Sequence, residues 1–356
     1  MSDSKSKIVS FLSKILKYLD PFEYVASMQL DYVYKNELKF VHFISVRSII
    51  NNCTFHNINQ RSDIDRIDFK IYANEIENKT YSIFINSDSI ESFVKYDLQL
   101  FNANFIIFIG NSDIRFDNKM IVSPEMQILL KHPLVSKLYI QNLGCAHDKI
   151  SFMPIGLDFH TLWEKPKKNG FGFRITPLLH QKIIYDILRN SKELCQRENL
   201  IYCNWHFEIN RGDRRECYDE VDKKLCYFEK IKVNRFDNYK KIVAFRFVLC
   251  PSGLGWDSYR IWETLLMGSF PILKINEFTK NLENLPCILV EEWSQINFEF
   301  LKNESIRISE SKYDFSILFN SFWINVIEGK LNDKKYNGLT TSQFRKLMLN
   351  DFNFNI

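Results

Sequence analysis

Short apolar runs separated by polar residues set the pattern of the first 160 positions. Five of these runs have strand length and are rich in Phe, Ile, Val or Tyr: Phe40–Val46, Tyr81–Asn86, Phe105–Gly110, Leu138–Asn142 and Ile150–Pro154. Such runs predict strands. Two segments between them are compatible with helices, Ser89–Leu100 and Pro124–Leu130. Alternation of this kind predicts a largely parallel sheet with helices on its faces.

The same alternation starts again after Lys165–Phe173, which is rich in Lys, Gly and Pro and predicts a linker. The runs that predict strands in this half are Leu200–Trp205, Phe245–Cys250, Phe270–Ile275 and Cys287–Val290. The segments that predict helices are Leu179–Leu194, Asn238–Val243, Ser258–Met267, Phe315–Val326 and a last one from Thr340, where Gln343 completes a capping box.

Two successive units of this kind predict an α/β protein with two lobes facing a cleft, and a length of 356 residues fits two cores. We place an acceptor-side lobe at residues 1–160 and a ligand-binding lobe at 161–330. Residues 331–356 are expected to form a C-terminal helix that packs back across the lobes.

The first twenty residues predict a basic amphipathic helix that ends at Asp20-Pro21. Its apolar positions recur at helical spacing: Ile8, Phe11, Leu12, Ile15, Leu16 and Leu19. Such a helix either docks on its own domain or makes peripheral contact with a membrane surface. No window reaches the roughly 18–20 apolar residues of a membrane span. Since no secretory signal is visible either, we expect a cytoplasmic protein.

Composition and charge narrow the chemistry. The chain is 46% hydrophobic with a net charge of +4, and its basic residues are scattered, so we expect a globular protein with no nucleic-acid partner. The eight cysteines show no zinc-type spacing and several lie in strand-like runs, which predicts reduced thiols. No HExxH or paired Asp-x-Asp pattern stands in a metal-like setting, so we expect no metal and no cofactor.

The segment Phe245–Lys274 has the features of a phosphate-binding turn. A buried strand runs into Pro-Ser-Gly-Leu-Gly-Trp-Asp, and a predicted helix follows at once. Gly253 and Gly255 let the backbone turn tightly and approach a ligand. Asp257 or Ser258 is placed to cap the helix, whose free N–H groups and dipole attract an anion.

Arg260 and Glu263 lie three residues apart on that helix and therefore share a face. A guanidinium there can clamp a diphosphate, and the carboxylate can accept the hydroxyls of a ribose. The plainer interpretation is a solvated ion pair worth about 0.2–0.5 kcal/mol. A third interpretation is a dinucleotide-binding turn, since Gly253-x-Gly255-x-x-Ser258 approximates GxGxxG; the third glycine is missing and Arg260 would have no role.

The stretch CPSGLGWDSYRIWETLLMGSFPIL (250–273) resembles the donor-binding motif of exostosin-like glycosyltransferases, including members encoded by large DNA viruses. The resemblance continues weakly through Leu285–Trp293, Ile150–Trp163 and Phe108–Asp113. It implies two Rossmann-like lobes (the glycosyltransferase B fold), a nucleotide diphosphate-sugar donor, a glycan or glycoprotein acceptor and no obligatory metal.

On that resemblance the chain is expected to be a hexosyl- or pentosyltransferase. Arg260 matches the diphosphate-binding arginine of the family, and Glu263 matches the ribose-binding carboxylate. Tyr259 departs from the family, because related sequences often carry His there. A non-catalytic nucleotide-sugar or glycan-binding protein stays open as an alternative, as does a nicotinamide-dependent oxidoreductase.

Other candidates for the donor lie in the same half of the chain. Ser252 belongs to the glycine-containing turn, and Asn204 follows the strand that starts at Leu200. Three arginines occupy the next loop, and we expect Arg211, rather than Arg214 or Arg215, to support the diphosphate.

The acceptor side is expected to come from the first half. Direct displacement needs a base for the acceptor hydroxyl, and Asp113 has the right position after strand Phe105–Gly110. Asn111 beside it is predicted to bind acceptor hydroxyls, together with Asp158 and His160 near the crossing between the lobes. The last two also compete with Asp113 as bases, as do His147 and Asp148.

Overall fold

The computed structural model describes residues 21–56, 80–165, 173–330 and 334–351 of the chain. The predicted amphipathic helix within residues 1–20 and most of the predicted linker lie outside the described residues. No helix in the described ranges is both apolar enough and long enough to reach across a bilayer.

Helices and strands alternate along both halves of the chain. The helices are α1 (Pro21–Phe40), α2 (Val46–Asn52), α3 (Asn118–Ile121), α4 (Pro124–Lys131), α5 (Phe159–Glu164), α6 (Pro177–Arg189), α7 (Arg214–Glu220), α8 (Arg235–Ile242), α9 (Tyr259–Leu266), α10 (Phe298–Glu310), α11 (Asn320–Ile327) and α12 (Thr341–Asp351). The strands are β1 (Phe55–His56), β2 (Tyr81–Asn86), β3 (Phe105–Gly110), β4 (Val135–Ile140), β5 (Ile150–Phe152), β6 (Glu198–Cys203), β7 (Cys226–Phe228), β8 (Phe245–Leu249), β9 (Phe270–Lys274), β10 (Ile288–Val290), β11 (Tyr313–Asp314) and β12 (Asn337–Leu339).

The first lobe is a parallel sheet whose strands follow one another in chain order, β1-β2-β3-β4-β5. Alternate side chains serve two cores: Ile107 and Ile109 belong to one apolar cluster, and Phe108 between them belongs to another. The first cluster includes Met126 of α4, and the second includes Trp323 of α11. Both faces are thus buried, which explains why these strands are continuous apolar runs.

The second lobe is also a parallel sheet, but its order is β7-β6-β8-β9-β10. The chain moves from β6 to one edge and then crosses back to build β8 on the other side. This doubly wound order has a switch point between β6 and β8, where the loops diverge and leave a crevice. The α/β class with two Rossmann-like lobes is therefore confirmed.

Helices α1 and α11 each pack on the lobe that is formed mainly by the other half of the chain. Tyr34 of α1 stacks on Trp163 with ring centroids 5.3 Å apart, and the backbone N–H of Leu178 donates to Glu37, so the first described helix packs on the second lobe. Conversely, α11 packs on the first lobe through Trp323. Arg345 of α12 contacts α6 of the second lobe. The boundaries at residues 160 and 330 and the packing of residues 331–356 across both lobes stay predictions.

Several local predictions need correction. Phe40–Val46 is not a strand, because α1 runs to Phe40 and α2 begins at Val46 under a capping box of Ser45 and Ser48. Val41, Phe43 and Ile44 are buried in the turn between the two helices instead, whereas Phe40 at the end of α1 is exposed. Helix α1 begins at Pro21, which a proline tolerates in a first turn; the predicted end of an earlier helix at Asp20-Pro21 stays a prediction.

Three predicted helices also differ in detail. The first splits into 3₁₀ turns at Ser87–Ser89 and Leu98–Leu100 around an α-helical turn (Ile90–Ser92) and a π-helical turn (Phe93–Asp97). The helix from Leu179 ends at Arg189, and the one from Phe315 is a 3₁₀ turn followed by α11. The eight cysteines are all free.

Candidate functional site

A cavity of about 580 Å³ lies at the switch point of the second lobe. It is lined from the loops that follow β6, from the start of α8 and from the first turns of α9. Its cationic lining residues are Lys165, Arg211, Arg214, Lys232, Arg235 and Arg260. The acidic ones are Glu208 and Glu263. The surplus of positive charge in a concave site fits an anionic ligand.

Four of the predicted donor residues line this cavity: Asn204, Arg211, Arg260 and Glu263. The Nε of Arg260 donates to Oδ1 of Asn204 at 2.9 Å, and Nδ2 of Asn204 donates to Asn238. Among the described residues the Arg260 guanidinium makes this one hydrogen bond, through Nε. The two terminal nitrogens of the guanidinium therefore remain available for a ligand. The amide at the end of β6 thus positions the arginine of α9.

Arg214, rather than the favoured Arg211, is the buried arginine of the preceding loop. Its side chain is 10% exposed, whereas that of Arg211 is 53% exposed and pairs with Glu208 at 2.9 Å. Burial and then the nearby charge of Arg260 lower the pKa of Arg214 to about 10. Two guanidiniums held this close repel each other, and an anion bound between them would relieve that repulsion. Arg215 points away and donates to Asn210.

Arg235 was missed by the sequence reasoning and joins two buried carboxylates. One terminal nitrogen pairs with Glu263 Oε1, and the other donates to Asp158 Oδ2 at 2.6 Å. The side chains of Asp158 and Glu263 are 3% and 5% exposed. The interpretation of Arg260 and Glu263 as a solvated ion pair is therefore wrong, because Glu263 is buried and pairs with Arg235. The sequence feature that could have indicated Arg235 is the preceding Asn234, because Asn is a favoured N-cap. Asn234 does cap α8, so Arg235 is the first residue of that helix.

A buried polar chain continues behind Glu263. The hydroxyl of Tyr239 donates to Glu263 Oε1 at 3.4 Å and lies 3.0 Å from Nε2 of His180. Burial lowers the pKa of His180 to about 3, so its imidazole is neutral. In the described part of the chain these contacts all use Oε1 of Glu263, which leaves Oε2 for a ligand hydroxyl.

Asp158 and His160 lie where the chain crosses between the lobes. Asp158 caps α5 by accepting from the backbone N–H of Thr161, and Nδ1 of His160 lies 2.9 Å from its Oδ1. Burial of Asp158 opposes its ionisation, but the charges of Arg235 and His160 hold the pKa of the carboxyl well below its ordinary range. The ring of His160 lies 6.0 Å from that of Tyr259, which lines the cavity.

The glycine-containing turn lies beside the cavity, not on its described wall. The backbone N–H and hydroxyl of Ser252 both donate to Asp213, at 2.6 and 2.8 Å. A Cβ on Gly255 would come within 2.9 Å of the Asn142 amide of the first lobe. Gly255 therefore permits contact between lobes, while a Cβ on Gly253 would meet only Arg214, at 3.5 Å. Donor binding by Ser252 and the two glycines stays a prediction.

Asp257 ties the two lobes together. Its carboxylate accepts from the backbone N–H of Ile155 and from the indole of Trp262, both at 2.6 Å, and its own N–H donates to Asn142 at 2.7 Å. Ser258, without a side-chain hydrogen bond, occupies the N-cap of α9. Burial raises the pKa of Asp257 to about 7. Donor binding by Asp257 stays a prediction.

The predicted acceptor residues of the first lobe follow β3. Asn111 adopts a left-handed backbone (φ 62°), and its side chain donates to Asn86 at 3.0 Å. Arg115, four residues on, donates to the carbonyl of Leu254 in the other lobe at 3.0 Å. Asp113 between them is exposed and is not among the residues that line the cavity. This loop faces the second lobe, so Asn111 and Asp113 stay candidates.

One acidic cluster elsewhere has the spacing of a metal site. Glu216, Glu220 and Glu292 are exposed and lie close enough to share an ion. Lys274 already donates to Glu216 at 2.6 Å and to Glu292 at 2.7 Å. The cluster is therefore balanced by a lysine, and no metal role is assigned to it.

Comparison with known proteins adds little. No protein-family profile matches the chain, and no curated protein does. Among solved structures, the chain is similar to one described as a crystal structure of α1,3-fucosyltransferase, with 11% sequence identity over 78% of this chain and 92% of that one. The TM-score is 0.29, so the two chains superpose poorly.

Proposed function

We propose that the protein is a glycosyltransferase that binds a nucleotide diphosphate-sugar at the switch point of its second lobe and transfers the sugar to a hydroxyl acceptor. The observation that carries this proposal is the meeting of Arg214, Arg260 and Glu263 in one cavity. Arg214 is buried and Arg260 is held by Asn204, so their guanidiniums can bind a diphosphate from fixed positions. The Glu263 carboxylate beside them can accept the hydroxyls of a ribose.

Each part of the donor has a counterpart in the cavity. Arg214 and Arg260 hold the diphosphate next to the N-terminal turn of α9, whose dipole adds to the attraction. Glu263, fixed by Arg235, accepts the ribose hydroxyls. Phe207, an exposed aromatic side chain that lines the cavity, offers a face on which a base can stack.

Transfer leaves a nucleoside diphosphate with increased negative charge. Preorganised cations stabilise such charge in a partly desolvated site. We propose that Arg214 and Arg260 take the role that a divalent metal takes in other transferases, so that transfer needs no metal or cofactor. The acceptor is a glycan or glycoprotein hydroxyl, presented by the first lobe near Asn111.

Calorimetry tests the donor site directly. Wild-type protein is titrated in parallel with UDP, GDP and NAD. We expect one nucleoside diphosphate to bind and Arg260→Ala to weaken that binding by about 10- to 150-fold, since a hydrogen bond to a charged group contributes about 1.5–3 kcal/mol. Arg215→Ala is the matched control, because Arg215 bonds to Asn210 and does not line the cavity.

Each alternative has its own outcome. Unchanged binding in Arg260→Ala, with an intact circular dichroism spectrum, refutes the assignment of that arginine. Preferential binding of NAD favours an oxidoreductase. Binding of a nucleoside diphosphate with neither donor hydrolysis nor transfer favours a non-catalytic binding protein.

A further inference from the structure

The crossing between the lobes brings a histidine to the edge of the donor cavity. His160 is the second residue of α5, and Thr161 and Lys165 of the same helix line the cavity. The His160 ring faces Tyr259 at 6.0 Å, in the first turn of the helix that carries Arg260. Its side chain is 19% exposed, so it is accessible yet held in place.

The neighbouring carboxylate sets the chemistry of this ring. Asp158 is 3% exposed, is paired with Arg235 and lies 2.9 Å from Nδ1 of His160. Nδ1 of His160 is buried and has no hydrogen-bond partner among the described residues, so its contact with Asp158 is electrostatic, and Nε2 is the ring nitrogen left to accept a proton. The charge of the carboxylate stabilises the imidazolium that results.

From this geometry we infer that His160, oriented by Asp158, is the base that deprotonates the attacking hydroxyl, an inference that rests on the proposed glycosyltransferase function. In the direct displacement, Nε2 of His160 takes the hydroxyl proton while the hydroxyl oxygen bonds to the anomeric carbon. The bond from that carbon to the diphosphate oxygen breaks, and the diphosphate leaves with the electron pair. Neither His160 nor Asp113 is among the cavity-lining residues, but His160 adjoins Thr161, which is one of them, whereas Asp113 is exposed and lies in the loop after β3.

The assignment also gives Arg235 a second purpose. Its two terminal nitrogens bind Glu263 on the ribose side and Asp158 on the His160 side. The donor carboxylate and the carboxylate that orients the base are therefore held at a fixed separation by one guanidinium. Arg235 and Asp158 act through other residues, so they are positioning residues and His160 is the catalytic one.

The test uses donor hydrolysis, in which water replaces the acceptor. UDP-glucose, UDP-galactose, UDP-N-acetylglucosamine and GDP-mannose are the probes, and release of UDP or GDP is measured. We expect His160→Gln to lower release by about 100-fold or more, the range that a general base contributes, with nucleotide affinity within about twofold of wild type. Added imidazole should restore part of the activity of His160→Ala.

Matched variants decide the outcome. His132→Gln changes a histidine of the first lobe that is not among the cavity-lining residues and accepts only from the backbone N–H of Leu134 among the described residues, so release should stay unchanged. Release within about threefold of wild type in both His160 variants, or a large loss confined to Asp113→Asn, overturns the assignment. A wild-type protein that binds UDP or GDP yet releases neither from any probe overturns catalysis by His160 while leaving the binding site intact. A wild-type protein that binds neither nucleotide refutes the proposed function itself.

Discussion

Replacing Arg235 by Met tests whether the buried three-residue cluster holds the site together. The substitution keeps most of the aliphatic volume and removes the charge that lies between Asp158 and Glu263. Both carboxylates are at most 5% exposed, so neither can recover its lost partner from bulk water. Removing one partner of a buried ion pair costs about 3–5 kcal/mol. Since two carboxylates lose their partner here, we expect a loss near the upper end of that range.

The assay is urea denaturation followed by tryptophan fluorescence. Arg211→Met is the control, because its ion pair with Glu208 joins side chains that are 53% and 40% exposed and such a pair is worth about 0–1 kcal/mol. The triple variant Arg235→Met, Asp158→Asn, Glu263→Gln should regain part of the loss, since it leaves no uncompensated buried charge. A loss below about 1 kcal/mol in Arg235→Met would contradict the reasoning.

Two further predictions concern the contact between the lobes. Because the pKa of Asp257 is raised to about 7, the folded state binds that proton more tightly than the unfolded state, whose Asp titrates near 4. The contribution of this proton to the free energy of unfolding is present below pH ~4 and is lost as pH rises to about 7, by at most about 4 kcal/mol. Asp257→Asn should flatten the dependence of the unfolding free energy on pH over this range, measured by urea denaturation. An unchanged slope in the variant would contradict the assignment to Asp257. Gly255→Ala should lower the stability by about 1–3 kcal/mol, because the added Cβ clashes with Asn142. Gly253→Ala should change the stability little, since its added Cβ would lie 3.5 Å from Arg214. Both are measured as shifts in Tm, and equal shifts would contradict the role of Gly255 in the contact between lobes.

The fold was largely predictable because its strands are buried on both faces. β2 and β3 were predicted with the bounds they have, since continuous apolar runs ended by polar residues leave few alternatives. Residues 40–46 were mispredicted for the same reason. The buried side chains of Val41, Phe43 and Ile44 fill the turn between two helices that pack against different lobes, and periodicity alone cannot separate such a turn from a buried strand.

The site was predictable where its residues follow a strand or share one helix. Asn204 and the pair on α9 were found in this way, and all three line the cavity. Arg235 was not, because its partners are 77 and 28 residues away in sequence and no local spacing records such contacts. That Arg214 is more buried than Arg211 was not visible either, since burial within a loop is set by tertiary packing; both line the cavity.

The two sheets differ in strand order, and this difference determines which lobe forms a crevice. In the first lobe the described strands follow chain order, so each connection between them moves the same way across the sheet. Among the described strands the switch point lies in the second lobe, and its crevice gathers the cations that follow β6 and those on α8 and α9. The first lobe contributes residues that follow its last two strands: Asn142 after β4 as a contact to the second lobe, and the Asp158–His160 pair after β5 beside the cavity. The proposed donor site in the second lobe and the proposed base at the crossing are both compatible with this topology.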